Sequence, residues 1–361
     1  MKTYPLESIS IEEALQFQFQ LVDCITREFD GAEFLKNGDL GLTEGFNKPE
    51  TTFKVEKIIA SFFGVESAIF VRGAGTGAIR YALFSAVKSG QTLLVHKAPI
   101  YSTTKTSIEM SGLKTVEADF NNPSEIENII KANPHIAAAL IQYTRQKPDD
   151  SYDIKAVISK IKQLKDIPII SDDNYAVMKV KKIGAQCGAD LSCFSSFKLL
   201  GPEGIGIIAG KKKYIDIISK TLYSGGSQTQ GFEALEALRG LVYAPAALAV
   251  SAKVSGEVLK RLNSGEIPEV KNAFIANAQS KVLIVEFKEN IAKEVLQKSQ
   301  KSGAAPRPVG AESKYEIVPM FYRVSGTFRM SDPKIEERMI RINPMRAGAD
   351  TIIRILKEAC V

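Results

Sequence analysis

The chain has 361 residues, of which 45% are hydrophobic and 24% charged, and its formal net charge is +6. This composition is typical of a globular protein long enough for two domains, and it excludes a disordered or fibrous chain. The excess of positive charge is small and its basic runs, Lys179 to Lys182 and Lys211 to Lys213, lack interleaved aromatic residues. We therefore expect solvated surfaces there and no nucleic-acid partner.

The first forty residues predict a helix up to Phe29, followed by a loop. "TTFKVEKIIASFFG" has the apolar spacing of a helix that ends at Gly64. From there, helical patterns alternate with seven segments typical of buried strands: "SAIFVR", "TLLVH", "KTVEAD", "IAAALIQ", "IPIISDD", "ADLSCFSS" and "GIGIIAG". This alternation predicts a mostly parallel sheet covered by helices on both faces.

Beyond about residue 225 the pattern changes to long helices, beginning with an extended segment that a proline interrupts. Its most apolar part, "LVYAPAALAV", is too short to span a bilayer, so we expect no membrane association. "KVLIVEFK" and "MIRINP" then predict strands of a smaller α+β unit. The predicted fold class is α/β, with an N-terminal helical arm (1–40), a large domain (41–245) and a small C-terminal domain (246–361).

Cysteine and histidine usage argues against a disulfide framework and against a metal site. The cysteines Cys24, Cys187, Cys193 and Cys360 form no CxxC pair, and the sequence has only two histidines. From these counts we expect no bound metal. Because the pattern of a signal peptide is absent, we also expect reduced thiols and a cytoplasmic protein.

Suggestive residues follow several of the predicted strands, where open α/β sheets bind ligands. "GAGTGA" lets the backbone approach an anion at the start of a helix, through residues such as Gly75 and Thr76. The loop can bind a phosphate or simply form a tight turn. A nicotinamide-binding reading is disfavoured, because the second strand ends in His96 and Lys97 instead of an acidic residue.

Two further loops and one lysine complete the set. Tyr101 follows the second strand, where its ring can stack on a planar ligand or cover the sheet edge. Asp172 and Asp173 close an apolar strand and need a partner, either a protonated ring nitrogen or the following turn. In "SSFKLLGPEGIG", Lys198 lies among apolar and Gly-rich neighbours, where an amine is a good nucleophile toward carbonyls. A surface lysine with a buried stem is the alternative.

In this order, these segments resemble the fold type I enzymes that depend on pyridoxal 5′-phosphate (PLP), the aspartate aminotransferase superfamily. The resemblance implies a PLP-dependent transferase fold in which Lys198 forms a Schiff base with the cofactor. By the same resemblance, Gly75, Thr76 and Ser195 bind the phosphate, and Tyr101 stacks on the pyridine ring.

Other roles implied by the resemblance concern the ring nitrogen and the substrate. Asp173 is the implied partner of the nitrogen, with Asp172 as the alternative. Arg341, in "MIRINP", is implied to bind the substrate carboxylate. Arg145, in the strand-end loop "IQYTRQKP", is a second candidate for contact with the substrate or cofactor. Tyr101 is placed to act as an acid if a leaving group departs.

Over its whole length the chain resembles the YhfS family, through "QSKVLIVEF", "GAESKYEI" and "LYSGGSQ". A looser likeness links it to the Cys/Met-metabolism branch and its methionine γ-lyase-like proteins of the aluminium-resistance type. Ordinary lyases of that branch carry a Tyr and an Arg where "TEGFNKPE" has Thr43 and Gly45, and a Thr in place of Phe197. The lyase label is therefore weaker than the superfamily label.

The predicted function is that of a PLP-dependent, aminotransferase-like enzyme that removes the Cα proton of an amino-acid (amine) substrate, a small molecule. A β- or γ-eliminating carbon–sulfur lyase and a non-catalytic PLP-binding protein are the alternatives. The resemblance also implies a homodimer with a shared active site. The segment from Tyr223 to Gly231 is either the part contributed to the partner's site or an ordinary hinge loop.

Overall fold

The computed structural model describes residues 2–223, 225–277, 281–310, 312–326, 329 and 332–361. The chain divides into two compact units. The large unit consists of residues 15–143 and 152–244, and the small unit of residues up to 14, 144–151 and 245–361. The residue limits that we predicted for the domains from the sequence remain predictions.

A mixed sheet forms the centre of the large unit. Among the described residues it has seven strands in the order β1-β7-β6-β5-β4-β2-β3. Strand β7 is antiparallel to β1 and β6, and the other neighbouring pairs are parallel. The strands are β1 (Ser67–Arg72), β2 (Thr92–His96), β3 (Lys114–Ala118), β4 (Ile136–Gln142), β5 (Ile169–Asp172), β6 (Leu191–Ser195) and β7 (Ile205–Gly210). The predicted fold class, with its mostly parallel sheet, is confirmed.

Helices alternate with these strands and cover the sheet. The α-helices of the described residues are α1 (Ile11–Glu28), α2 (Gly31–Phe34), α3 (Glu50–Phe63), α4 (Ala74–Ala86), α5 (Ser102–Met110), α6 (Pro123–Ala132), α7 (Ile154–Leu164), α8 (Lys212–Thr221), α9 (Gly231–Asn263), α10 (Ala292–Lys301), α11 (Ile335–Arg338) and α12 (Ala349–Cys360). Apolar side chains of α4 and α8, such as Ile79, Leu83 and Ile218, pack on one face of the sheet. Helix α3 ends at Gly64 as predicted, in the left-handed conformation (φ 61°) that glycine adopts without strain.

The strand directions bring several chain segments to one edge of the large sheet. The parallel strands β5 and β6 end there, at Asp172 and Ser195. Because β7 runs antiparallel to β6 and β1, its start pairs with their ends, Gly206 opposite Ser195 and Ile205 opposite Arg72. The loops that follow β1, β5 and β6 therefore meet at this carboxyl edge.

The small unit contains an antiparallel sheet with helices packed on it. Its described strands are ordered β10-β11-β9-β8. They are β8 (Val270–Ile275), β9 (Leu283–Phe287), β10 (Met320–Arg323) and β11 (Met339–Asn343). Residues of α10 and α12 form a buried cluster with this sheet, so that the predicted smaller α+β unit is confirmed.

Helix α9 covers the extended helical segment that the sequence predicts. The predicted interruption at Pro245 is wrong, because the helix continues through this residue. A proline removes one helical hydrogen bond, and here buried neighbours such as Leu241 and Leu248 keep the helix packed. Within the described residues α9 is also the one helix long and apolar enough to cross a membrane. Since 61% of its most apolar window is buried inside the protein, this is weak evidence for a membrane span.

Two glycines of α9 offer a direct test of its packing. A Cβ at Gly240 would lie 2.6 Å from Gly201 N and 2.7 Å from Leu199 O, whereas one at Gly256 would meet nothing within 4 Å. We expect Gly240→Ala to lower the free energy of unfolding by about 1–3 kcal/mol through overpacking. Gly256→Ala should raise it by about 0.5–1 kcal/mol, because alanine favours the helix.

Urea unfolding of both variants measures these effects. Equal stabilities of the two variants would contradict the close approach of α9 to the 199–201 backbone.

Candidate active site

Lys198 lies in a tight turn directly after strand β6. Residues Phe197–Leu199 form one turn of 3₁₀ helix, and Ser196 O accepts hydrogen bonds from Leu199 N (2.9 Å) and Gly201 N (3.0 Å). Leu200 then adopts a left-handed conformation (φ 63°) that is strained for a residue with a branched side chain. The Lys198 side chain is half-buried. The turn thus holds the amine close to the carboxyl edge of the sheet.

An aromatic ring lies next to this amine. Lys198 Nζ is 3.7 Å from the centroid of the Tyr175 ring, and Lys179 Nζ is 5.8 Å from the same centroid. Both cations are therefore within the range of attraction to the face of one ring. Lys179 belongs to a basic run that we expected on a solvated face, but it is only 7% exposed. That expectation is wrong for Lys179, which is enclosed beside Tyr175.

The glycine-rich loop that begins at Gly73 lies against Gly204 and Gly206, which follow Lys198 in the sequence. Gly73 N and Ala74 N both donate to Gly204 O, at 2.8 and 3.0 Å. A Cβ at Gly206 would overlap Ala74 O, so the two backbones touch. The N-cap of α4 is Gly73 (φ 97°), which has no side chain to cap the helix. The start of α4, with the buried Gly75, therefore offers main-chain donors and a positive dipole to an anion.

The segment from Asp172 to Tyr175 joins these two parts of the site. Asn174 donates to Asp172 Oδ1 from its backbone N (3.1 Å) and from Nδ2 (2.7 Å). Its side chain packs against the glycine loop, since a Cβ at Gly75 would overlap the Asn174 amide. The next residue, Tyr175, contacts Lys198. The sequence pointed to the two aspartates of this segment and to neither Asn174 nor Tyr175.

Asp173 occupies a different environment from Asp172. Its side chain is fully buried, Oδ1 accepts from Ser171 Oγ, and Oδ2 accepts from Gly184 N at 2.8 Å. Burial raises the pKa of Asp173 to about 6, although the hydrogen bonds from Ser171, Ser192 and Gly184 favour the ionised form. Both carboxylate oxygens of Asp173 thus accept hydrogen bonds from neighbouring protein groups. Asp172 instead accepts hydrogen bonds from Asn174, which packs on Gly75.

The remaining residues expected in the large unit lie at the same edge of the sheet. Ser195 is the last residue of β6 and is 4% exposed. Thr76 is half-buried in the first turn of α4. Tyr101 is 40% exposed at the N-cap of α5, beyond the end of β2. Their predicted roles toward a cofactor stay predictions.

Both expected substrate-binding arginines belong to the small unit. Arg341 lies on β11, donates from Nε to Arg323 O (2.8 Å) and stacks on Tyr322 with its Cζ 4.0 Å from the ring centroid. Arg145 is 8% exposed and donates to the main-chain carbonyls of Tyr4 and Ser151. These contacts favour a structural role for Arg145, which ties together backbone segments of its own unit.

The segment from Tyr223 to Gly231 is described except for Ser224, which lies outside the described residues. Gln228 O accepts from Arg72 Nη2 (2.9 Å), and Thr229 O accepts from Thr52 Oγ1 (2.8 Å). The second half of the segment is therefore fixed to the large unit, and its expected role toward a partner stays a prediction.

Two family descriptions match the chain. "Aminotransferase class-V" matches residues 47–237, and "YhfS-like, C-terminal domain" matches residues 256–356. The protein YhfS of Escherichia coli (strain K12) is 55% identical over 360 residues, which cover 99% of each chain. The crystal structure of Escherichia coli YhfS, described as pyridoxal-5′-phosphate dependent, has a TM-score of 0.98 and covers 100% of this chain and 99% of that one.

More distant structures share the fold. Apo CalE6, a methionine γ-lyase from Micromonospora echinospora, is 16% identical with a TM-score of 0.71, covering 95% of this chain and 98% of that one. A carbon–sulfur lyase involved in aluminium resistance from Clostridium novyi is 19% identical with a TM-score of 0.70, covering 96% and 90%. At these identities the likeness concerns the fold alone.

The buried carboxyl of Asp173 should make the stability of the protein depend on pH. The pKa of Asp173 is about 6 in the folded protein and 3.8 in an unperturbed aspartate. Between these pH values Asp173 is therefore protonated in the folded state and ionised in the unfolded state. The cofactor-free wild type should therefore gain stability relative to Asp173→Asn as the pH falls from 7 to 4, by roughly 2–3 kcal/mol.

Urea unfolding at several pH values measures this difference. Asp216→Asn is the matched control for the substitution itself, because it removes an exposed carboxylate that pairs with Lys212. If the free energy of unfolding depended on pH in the same way for the wild type and for Asp173→Asn, the raised pKa of Asp173 would be contradicted.

Proposed function

Since the chain belongs to the family of Escherichia coli YhfS, a pyridoxal-5′-phosphate dependent protein, we propose that it is a PLP-dependent enzyme with Lys198 as its cofactor-binding lysine. The observation that carries the proposal is the position of Lys198 Nζ, 3.7 Å from the centroid of Tyr175. Tyr175 follows Asn174, which packs on the glycine loop. The amine of Lys198 and the start of α4, which can bind an anion, thus both lie next to the segment Asn174–Tyr175.

The chemistry of these residues fits PLP, which has an aldehyde, a phosphate and a ring nitrogen. The start of α4 has no side-chain cap and can receive a phosphate beyond Ala74, with Thr76 and Ser195 as hydroxyl donors. The buried Oδ1 of Asn174 and Oγ of Ser196 have no hydrogen-bond partner within the described part of the chain. Unsatisfied buried polar atoms are typical of a functional site.

The chain offers two carboxylates for the ring nitrogen, and we assign this role to Asp172. Asp173 is enclosed by Ser171 and Gly184, whereas Asp172 is held by Asn174 beside the glycine loop. The two N–H donors on Asp172 Oδ1 orient this carboxylate, whose negative charge can pair with a protonated nitrogen. The sequence resemblance selects Asp173, with Asp172 as the alternative.

When bound, PLP supplies an electron sink that makes the Cα proton of an amino acid acidic. In our proposal the amine of Lys198 removes that proton as a general base. The face of Tyr175 lies next to the amine and limits its movement and its contact with water. Tyr101, at the same edge of the sheet, is proposed to cover the ring of the cofactor. Arg341 is proposed to bind the substrate carboxylate through its planar, bidentate guanidinium.

For the reaction we favour transfer of the amino group to a keto-acid acceptor, because the class-V aminotransferase family covers 47–237, the part of the chain that contains Lys198. Elimination, as in carbon–sulfur lyases, is the second candidate, since the proposed first step, proton removal from Cα, is common to both reactions.

We further propose a cytoplasmic homodimer. All four cysteines are free, which suits a reducing compartment. Leu35 and Leu40 of the large unit are 83% and 73% exposed, and Leu42 is 48% exposed. These exposed leucines, close together in the sequence, offer apolar surface to a second copy of the chain.

The reaction is tested by incubating the PLP-loaded protein with each of a panel of amino acids, once with and once without a keto acid. We expect a new amino acid to form from the keto acid. Lys198→Ala should reduce the rate by about 10³-fold, because it removes the general base.

Release of ammonia without an acceptor would contradict amino transfer and favour elimination. Bound PLP without turnover of any amino acid would favour the non-catalytic alternative. Failure of the wild type to bind PLP would contradict the proposed function as a whole.

A further inference from the structure

Asn174 lies between the glycine loop and Asp172. We propose that it is a positioning residue, which couples the phosphate-binding end of the site at Gly75 to the carboxylate of Asp172. The inference rests on the proposed function, because it concerns how firmly the site binds PLP. It assigns a role to a residue that would contact the cofactor only through its neighbours.

The first half of the coupling is the hydrogen bonding to Asp172. The backbone N and the side-chain Nδ2 of Asn174 both donate to the same oxygen, Oδ1, at 3.1 and 2.7 Å. Asp172 is only 8% exposed, so water competes little for these bonds. Together the two donors restrict the orientation of the carboxylate. Loss of Nδ2 would leave the backbone donor alone to orient Asp172.

The second half of the coupling is steric. A Cβ built on Gly75 would lie 2.6 Å from Cγ and from Nδ2 of Asn174, and closer still to Oδ1. The three nearest atoms all belong to this one amide. Gly75 therefore provides the space that the Asn174 side chain occupies. Any side chain at position 75 has to displace Asn174 from Asp172.

The orientation of the amide is fixed by its partners. Exchange of Oδ1 and Nδ2 would place an amide oxygen against a carboxylate oxygen, which is repulsive. In the observed orientation Oδ1 is buried and, within the described residues, has no hydrogen-bond partner. The side chain thus gives up one hydrogen bond and keeps the bond to Asp172. This is expected of a residue whose task is to orient that carboxylate.

A consequence follows for substitutions at both positions. Gly75→Ala should weaken PLP binding by pushing Asn174 away from Asp172. In an Asn174→Ala background the same substitution should cost little, because the obstructing amide is absent. The damage caused at Gly75 therefore passes through Asn174, and the two effects should be strongly non-additive.

The experiment measures the dissociation constant of PLP, by absorbance titration, for the wild type, Gly75→Ala, Asn174→Ala and the double variant. We expect Asn174→Ala to bind PLP about tenfold more weakly, as for loss of one hydrogen bond to a charged group. Gly75→Ala should be weaker than Asn174→Ala, and the double variant should bind as tightly as Asn174→Ala. Thermal unfolding of the cofactor-free variants shows whether each is folded.

Gly206→Ala is the matched control. Its Cβ would overlap a backbone atom of the same loop, Ala74 O, so Asn174→Ala should not relieve its effect. Additive losses for Gly75→Ala and Asn174→Ala would overturn the coupling. Wild-type affinity of Asn174→Ala would overturn it even if Gly75→Ala did not fold. Failure of the wild type itself to bind PLP would instead contradict the proposed function.

Discussion

The close approach of backbone segments at the carboxyl edge of the large sheet is the constraint on which the site depends. Gly75 admits the side chain of Asn174, Gly206 admits the carbonyl of Ala74, and Gly240 lets helix α9 lie against the turn after Lys198. A side chain at any of these positions would separate segments that now touch. Because the lysine, the start of α4 and the carboxylate come from different parts of the sequence, their proximity depends on this packing.

The fold could be predicted from the sequence because its signals are local. Seven apolar segments separated by helical patterns indicate the sheet, and Gly64 marks the end of α3. The continuity of α9 through Pro245 could not be predicted, because it depends on buried neighbours such as Leu241 and not on helix propensity. The burial of Lys179 was missed for the same reason, since its partner Tyr175 is visible only in the folded chain.

The candidate site could be predicted from the sequence only in part. Residue types at strand ends pointed to Gly75, Asp172 or Asp173, and Lys198, but the sequence alone left the two aspartates as alternatives. The structure distinguishes their surroundings through contacts with Asn174 on one side and with Ser171 and Gly184 on the other. Such contacts depend on which way each side chain points at the end of a strand, and two adjacent acidic residues give no local signal for that choice.

The central claim is that the amine of Lys198 binds the aldehyde of PLP. Borohydride makes a linkage between an amine and this aldehyde permanent, so peptide mass spectrometry of PLP-loaded, reduced protein tests the claim most directly. If Lys198 binds the aldehyde, the added mass is on Lys198 and not on Lys179, whose Nζ lies 5.8 Å from the same Tyr175 ring centroid. Modification of another lysine, or of none in protein that has bound PLP, would contradict it.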